Sequence, residues 1–389
     1  LRIVHVYKDY HPPTRGGIEQ TIQTAANEQA RQGHDVTVLV SAGGKRRSSH
    51  ERLDGVSVVR VAEWARLLSS PICPGFPREL GRSRADVWHL HWPNPLGEVS
   101  WLLRRPPGAL VVSYHSDVVR QKLAQALYRP LARRLLERAD LLLPTSDRYV
   151  EFSPFLRSFR ERCRVVPSGI DLAPFEGLDR NSAAAVQLRA RYGGPFVLFV
   201  GRLRYYKGVD ILLRAMVEVN GRAVIVGDGP MRPGLEALHA ELELGDRVRF
   251  TGTIDDSALA LHLAAADVGV LPSTHPSEAL GLALVEYLAA GIPAICTELG
   301  TGTTFVNQDG ETGLVVPPGD HPALAAALRT LLADEGLRHR LGAAGRERAR
   351  RVFSREAMVR GYLAAYREAI ERRSRGGSAH LVAEPTTRG

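Results

Sequence analysis

No run of eighteen apolar residues occurs in this chain, so nothing in it reads as a membrane-spanning helix. Cysteine is scarce. Cys73, Cys163 and Cys296 stand far apart, at no metal-type spacing, which excludes a disulfide framework. Reduced thiols in a cytosolic protein are the plain reading. The chain enters the apolar run Ile3-Val4-His5-Val6 with no charged-then-apolar leader, so no secretory segment is expected. There is no Asp-x-Asp, the acidic clamp that holds a metal-bound diphosphate. A complete Gly-x-Gly-x-x-Gly fingerprint is also missing. Gly227-Asp228-Gly229-Pro230 begins one, but proline and methionine follow, which argues against a dinucleotide site. No internal repeat and no long low-complexity segment appears.

What is present is a soluble, globular composition, 44% apolar and 24% charged. At 389 residues the chain exceeds one ordinary core, and two domains are expected. The net charge of +9 is lopsided. Residues 1–175 hold 26 Lys and Arg against 17 Asp and Glu, whereas 176–389 hold 25 of each. Nucleic acid and an anionic membrane surface both fit such an excess, as does an Arg-rich composition with no partner at all.

Short apolar runs alternate with amphipathic ones, the pattern of a parallel sheet with helices on both faces. Strands are expected at 2–7, 35–41, 56–61, 86–91, 109–114, 139–144 and 163–167, with helices at 17–32 and 120–138. The pattern restarts at Pro195. Strands then read at 196–201, 222–227, 247–251, 267–272, 293–297 and 313–316. Helices read at 207–219, 231–244, 256–265, 281–290 and 320–333. The fold class is therefore α/β: two Rossmann-like parallel-sheet domains, 1–172 and 173–353, facing a cleft. A linker falls between Val166 and Ser182. One helix, 354–372, is left over, and 373–389 reads as a disordered tail. Ligands of doubly wound folds bind at strand C-terminal ends, so the cleft is the expected site.

The chemistry concentrates in Pro276-Ser277-Glu278-Ala279-Leu280-Gly281-Leu282-Ala283-Leu284-Val285-Glu286. Glu278 precedes a helix that starts near Gly281. Glu286 lies inside that apolar helix, where an unpaired carboxylate is costly and needs donors such as ribose hydroxyls or a structural partner. The open amides near Gly281 and Leu282 suit a phosphate. Arg202 and Lys207 flank a strand-to-helix loop, where two cations would neutralise a diphosphate; as isolated residues they would be surface charges. Gly16-Gly17 precedes a helix and reads either as a phosphate turn or as a simple tight turn. Gly227 and Gly229 read as a glycine turn beside a ligand. His115 ends a strand in Ser113-Tyr114-His115-Ser116-Asp117. With His89 and His91 it could bind a metal, bind a hydroxyl, or sit hydrogen-bonded in the core; no third ligand at helix or Cys-type spacing supports the metal.

Taken in order, these motifs resemble the family-four retaining glycosyltransferases of the GT-B fold, over nearly the whole chain to about residue 372. The resemblance rests on Gly16-Gly17, the His-Ser-Asp segment, Pro167-Ser168-Gly169-Ile170-Asp171, Gly201-Arg202 with Lys207-Gly208, Gly227-Asp228-Gly229-Pro230, Val248-Arg249-Phe250-Thr251-Gly252, the Glu pair, and Gly313 through Asp320. It implies that Glu278 binds donor-sugar hydroxyls with help from backbone at Leu280 and Gly281. Leu282 would offer an amide to phosphate, and Glu286 would hold the ribose. Arg202 and Lys207 would stabilise the leaving diphosphate, and Thr253 and Ile254 would meet the base. His115 would contact the transferred sugar, and the leftover helix would cross back to the first domain. Glu278-Ala279-Leu280-Gly281 departs from the family's commoner Glu-Gly-Phe-Gly, a change that leaves a backbone contact intact. The loop Glu298 to Thr304 replaces the commoner Gly-Gly-x-x-Glu and is similar to a bacterial surface-polysaccharide subgroup that often uses mannose donors.

The expected activity is transfer of a hexose, with retention, from a nucleotide diphosphate sugar to a glycan or lipid-linked acceptor. GDP-mannose is favoured as donor and a UDP-sugar comes next. No cofactor and no metal is expected, nor is nucleic acid. An anionic membrane surface is an expected partner of the basic first domain, which places the protein in the cytoplasm or on the inner face of the membrane. The alternatives are a same-fold nucleotide-sugar epimerase or glycogen-type synthase, a nucleotide-dependent dehydrogenase, and a non-catalytic binding module.

Overall fold

In the computed structural model the chain divides into two compact units. The first is Leu1–Gly169 together with Arg355–Gly389, and the second is Ile170–Ser354. The structure describes all residues except 13, 15, 68, 69, 116–121 and 382–389, and gives no side-chain placement for 122–127 and 376–381.

The first unit is built on β1 (Arg2–Val6), β2 (Asp35–Ser41), β3 (Ser49–Leu53), β4 (Val56–Val61), β7 (Val87–Trp92), β8 (Ala109–Tyr114) and β9 (Leu141–Pro144), in spatial order β3-β4-β2-β1-β7-β8-β9. All pairs are parallel except β3–β4. Two short strands, β5 (Ala65–Leu67) and β6 (Ser70–Ile72), pair separately. Successive strand residues face opposite sides. Thus Ile3, Val36, Val38, Val58 and Val111 pack in one layer, while Val4, Val6, Leu39, Leu90 and Val112 pack in the other. The first layer is closed by the helix Gly17–Arg31 and by Met358, Val359, Tyr362 and Tyr366 of the last helix, Arg355–Leu381.

The second unit holds β10 (Phe196–Val200), β11 (Arg222–Val226), β12 (Val248–Gly252), β13 (Val268–Leu271), β14 (Ala294–Thr297) and β15 (Gly313–Val316). Their order is β12-β11-β10-β13-β14-β15, all parallel.

Three expectations need correction. Residues 163–167 form no strand: a short helix at Arg160–Arg162 precedes them, and beyond an isolated bridge to Leu142 only two further amides reach the β9 edge before Pro167. The polar edge strand β3 and the 18-residue helix Glu335–Val352 are additions to the expected elements. The last helix does not stop at 372 but continues to Leu381. Pairs between Glu368 and Arg372 and between Glu371 and Arg375, four residues apart, support the extra turns, and no proline intervenes. Residues 382–389 of the expected tail lie outside the described residues.

Candidate active site

The chain order of the second sheet reverses between β10 and β13, the point where loops leaving neighbouring strands part and open a crevice. Here the ladder itself stops early: β10 and β13 stay in register only at Val197–Val268 and Leu198–Gly269. The helix Leu282–Ala290 fills the gap. Its Tyr287 ring presses on Gly269, where even a Cβ would lie 2.5 Å from the ring. The Tyr287 hydroxyl accepts the Val200 N–H at 2.8 Å, which replaces a missing strand partner.

Two loops bring opposite charges into this crevice. The loop after β10 carries Lys207 and the loop after β13 carries Glu278. Lys207 Nζ stands 2.7 Å from Glu278 Oε2, with both side chains nearly buried. Ser273 Oγ donates to the same oxygen at 2.9 Å. Glu278 Oε1 has no hydrogen-bond partner among the described residues, so one carboxylate oxygen fixes the lysine and the other is open. Backbone bonds lock the loops: Thr274 N–H donates to Tyr206 O at 2.8 Å, and Gly302 N–H to Ala279 O at 2.7 Å. Thr301 Oγ1 donates to Glu278 O at 2.7 Å. Gly208 follows with φ +65°, and a side chain there would run into the carbonyl oxygen of Pro272. Burial alone would lower the Lys207 pKa, but the charge and hydrogen bond of Glu278 outweigh it, and the net direction is upward. The lysine is therefore cationic.

Gly281 caps the next helix in the left-handed region, φ +80°, with Leu271 so close that a Cβ would lie 2.7 Å from it. Glycine offers no capping side chain. The amides of Leu282 and Ala283 consequently have no acceptor among the described residues, and the helix dipole adds to their positive field. Leu280 is buried just before them. Glu286 lies one turn in, half-buried, with no hydrogen-bond partner among the described residues. Burial pushes its carboxyl up to about 7, against the pull of Lys207. Arg202 is exposed at the end of β10 and makes no ion pair or hydrogen bond among the described residues. Thr253 is exposed and Ile254 half-buried just past β12.

Gly227 and Gly229 stand where the ends of β10, β11 and β12 join. Gly201 N–H donates to Val226 O at 3.0 Å and Gly227 N–H to Gly252 O at 2.8 Å. A side chain at Gly227 would strike Gly201 O, and one at Gly229 the backbone of Leu203. Close backbone packing accounts for both glycines.

Arg202, Lys207, Gly227, Gly229, Thr253, Ile254, Glu278, Leu280, Gly281, Leu282 and Glu286 thus all belong to the second unit. Gly16, Gly17 and His115 belong to the first. Gly16 is the cap of the helix Gly17–Arg31, and the carboxylate of Glu19, in its first turn, lies where a Gly16 side chain would be. His115 follows β8, with its N–H donating to Trp92 O at 3.2 Å; Ser116 and Asp117 lie outside the described residues. His89 and His91 are fully buried beside His5, and one ring nitrogen of each of the three lies within 4.8 Å of the others, close enough for a metal ion. All three residues are nonetheless hydrogen-bonded through both ring nitrogens. In this arrangement each of the three rings is hydrogen-bonded within the core. Ser273, Thr301 and Tyr287 escaped the sequence reading, because each acts through a fold-dependent contact and sits in no charged motif.

Residues 183–348 match the family described as glycosyl transferases group 1, and residues 15–174 match glycosyltransferase family 4. The chain is 33% identical to the O-antigen chain mannosyltransferase C of Escherichia coli over 96% of its own length and 100% of that protein. It is 36% identical to a D-rhamnosyltransferase of Pseudomonas aeruginosa, over 91% of this chain and 92% of the relative. Among solved structures, sucrose-phosphate synthase of Thermosynechococcus elongatus superposes with a TM-score of 0.80 at 26% identity, covering 95% of this chain and 99% of that one. The crevice between β10 and β13, with its paired Lys207 and Glu278 and its uncapped helix, and these similarities lead to one assignment: the chain belongs to the family 4 glycosyltransferases and is a glycosyltransferase of the GT-B fold.

Proposed function

We propose that this glycosyltransferase moves a hexose from a nucleotide diphosphate sugar to a hydroxyl of a glycan or lipid-linked acceptor in cell-envelope polysaccharide or glycolipid synthesis, with retention at the anomeric carbon. The observation that carries the reading is the split use of Glu278: Oε2 holds Lys207 while Oε1 is left open, and the helix that follows has uncapped amides. The open oxygen accepts donor-sugar hydroxyls. Lys207, Arg202 and the amides at Gly281 and Leu282 face the diphosphate, whose negative charge grows as the glycosidic bond breaks. A positive field fixed in advance stabilises that transition state most. Glu286 accepts the ribose hydroxyls, and Thr253 and Ile254 meet the base. His115 contacts the transferred hexose. The acceptor hydroxyl attacks the face from which the diphosphate leaves, and a phosphate oxygen takes its proton. No metal is invoked, because the cations and amides already supply the charge.

GDP-mannose is the favoured donor, supported by the similarity to an O-antigen mannosyltransferase, and a UDP-sugar is next. The protein acts in the cytoplasm, at the inner face of the membrane. Among the described residues no helix is long and apolar enough to cross a membrane. The first half's basic excess and the exposed Trp64, Leu67, Ile72 and Leu103 of the first unit support docking on anionic lipid. Salt-insensitive vesicle binding that ignores anionic lipid would remove that part of the proposal.

Thermal-shift measurements with GDP, UDP, ADP and their sugars test the donor, since a ligand of the native state raises apparent stability. Stabilisation by GDP-mannose, and GDP release that needs an acceptor and persists in EDTA, is the expected result. Product formed from donor alone would point to an epimerase instead.

A further inference from the structure

The first unit buries four histidines around one glutamine. His5 on β1, His89 and His91 on β7, and His115 after β8 share the sheet face covered by the helices Gly17–Arg31 and Arg355–Leu381. Gln29 comes from the first helix, Tyr362 and Tyr366 from the second. Two hydrogen-bonded branches leave Gln29. Along one, Gln29 Oε1 meets His5 Nε2 at 2.8 Å, His5 Nδ1 meets His91 Nε2 at 3.0 Å, and His91 Nδ1 meets His115 Nε2 at 3.0 Å. Along the other, Gln29 Nε2 donates to the Tyr366 hydroxyl at 3.2 Å, which meets His89 Nδ1 at 2.6 Å; His89 Nε2 meets Ser113 Oγ at 2.7 Å.

A neutral imidazole has one N–H and one lone pair, so a proton fixed at one end of such a row fixes every proton in it. The rings are neutral: burial holds His5 and His115 at about 4 and pushes His89 and His91 well below their ordinary value. The amide carbonyl of Gln29 can only accept. His5 must then carry its proton on Nε2 and accept on Nδ1. His91 donates from Nε2 and accepts on Nδ1, and His115 donates from Nε2. The amide group of Gln29 sets the second branch the same way, since it donates to Tyr366, whose hydroxyl donates to His89 Nδ1. One residue therefore orients both branches, and the ring lone pairs of His5, His89 and His91 are each taken up by a hydrogen bond.

We propose that Gln29, acting through His5 and His91, is a positioning residue that fixes the His115 proton on Nε2 and so presents the His115 Nδ1 lone pair as a hydrogen-bond acceptor for a hydroxyl of the transferred sugar. The proposal rests on the reading that His115 contacts that sugar. It adds a polarity to the contact: the sugar donates and His115 accepts, so a donor lacking that hydroxyl, or carrying an ether oxygen in its place, is discriminated against.

Nitrogen-15 NMR of the histidine-labelled full chain reads the tautomers directly, with His115 assigned from the spectrum of His115→Gln. The expected result is Nε2–H for His5, His89, His91 and His115. In Gln29→Leu, His115 becomes a mixture of tautomers, and kcat falls about three- to tenfold with donor KM nearly unchanged, the scale of one weakened hydrogen bond. An Nδ1–H tautomer at His115 in the unaltered protein overturns the proposal without needing any variant to fold. Displacement of the His5, His89 and His91 signals by stoichiometric Zn²⁺ overturns it as well. Wild-type turnover by His115→Ala alongside an Nε2–H tautomer overturns the role of His115 at the sugar, and with it the functional half of the proposal, while leaving the hydrogen-bonded row intact.

Discussion

Replacing Glu286 by glutamine should make the protein more stable and a poorer binder of nucleotide. The carboxyl is pushed from its ordinary 4.5 to about 7 chiefly by burial. The folded protein therefore holds this proton more tightly than the unfolded chain does. Stability falls as pH rises from about 4.5 through about 7, and stays lower above that. A tenfold difference in proton affinity between the two states is worth about 1.4 kcal/mol, so at pH 8 the ionised side chain costs roughly 2–3 kcal/mol once its partial exposure is allowed for. A neutral amide escapes most of that cost. For a unit of this size the gain corresponds to a rise in Tm of about 4–10 °C. Calorimetry of Glu286→Gln at pH 8 and pH 5 measures it: a clear rise at pH 8, almost none at pH 5. Nucleotide binding should move oppositely, weakening about ten- to a hundredfold as a charged acceptor for the ribose is lost. For the unaltered protein, nucleotide Kd should rise as pH falls below about 7, a dependence the variant lacks. A variant less stable at pH 8, or a difference in Tm that ignores pH, would refute the reasoning and make Glu286 a paired structural acid.

Lys207→Ala leaves Glu278 buried without its cation and should lose about 3–5 kcal/mol of stability as well as turnover, whereas Lys207→Met with Glu278→Gln should recover stability but not activity, as read by urea unfolding beside an assay. Arg202 has no structural partner among the described residues, so Arg202→Ala should leave Tm unchanged and lower kcat about a hundredfold. Near-normal rates in both Lys207 and Arg202 variants would remove the diphosphate assignment.

The parallel sheets were legible because their strands are buried on both faces and read as unbroken apolar runs, as Phe196 to Val200 does. β3 was not, because Ser49-His50-Glu51-Arg52-Leu53 is a polar edge strand. Its signal was the Asp54-Gly55 pair, which turns the chain at φ 50° and 86° into β4 and marks a hairpin. The helix Glu335–Val352 was hidden by a surface rich in arginine, with only Leu341, Gly342, Gly345 and Ala349 buried. At the site, charge and glycine spacing found Lys207, Glu278 and Gly281. No spacing rule could pair Lys207 with Glu278, since their meeting depends on β10 and β13 lying side by side although β11 and β12 separate them along the chain. The joining of Gln29 to His5 and Tyr366 is likewise a product of topology.

The first unit is sewn from both ends of the chain, with Met358, Val359, Tyr362 and Tyr366 completing a core begun by Ile3. During synthesis the ribosome delivers the second unit whole, in one continuous stretch, while the first must wait with one apolar layer only partly covered. Its final packing, and the closing of the histidine row by Tyr366, can occur only after the last helix has emerged. A message truncated soon after Ser354 therefore yields a folded second unit joined to an unfinished first one, a ready target for chaperones and proteases rather than a partly active enzyme.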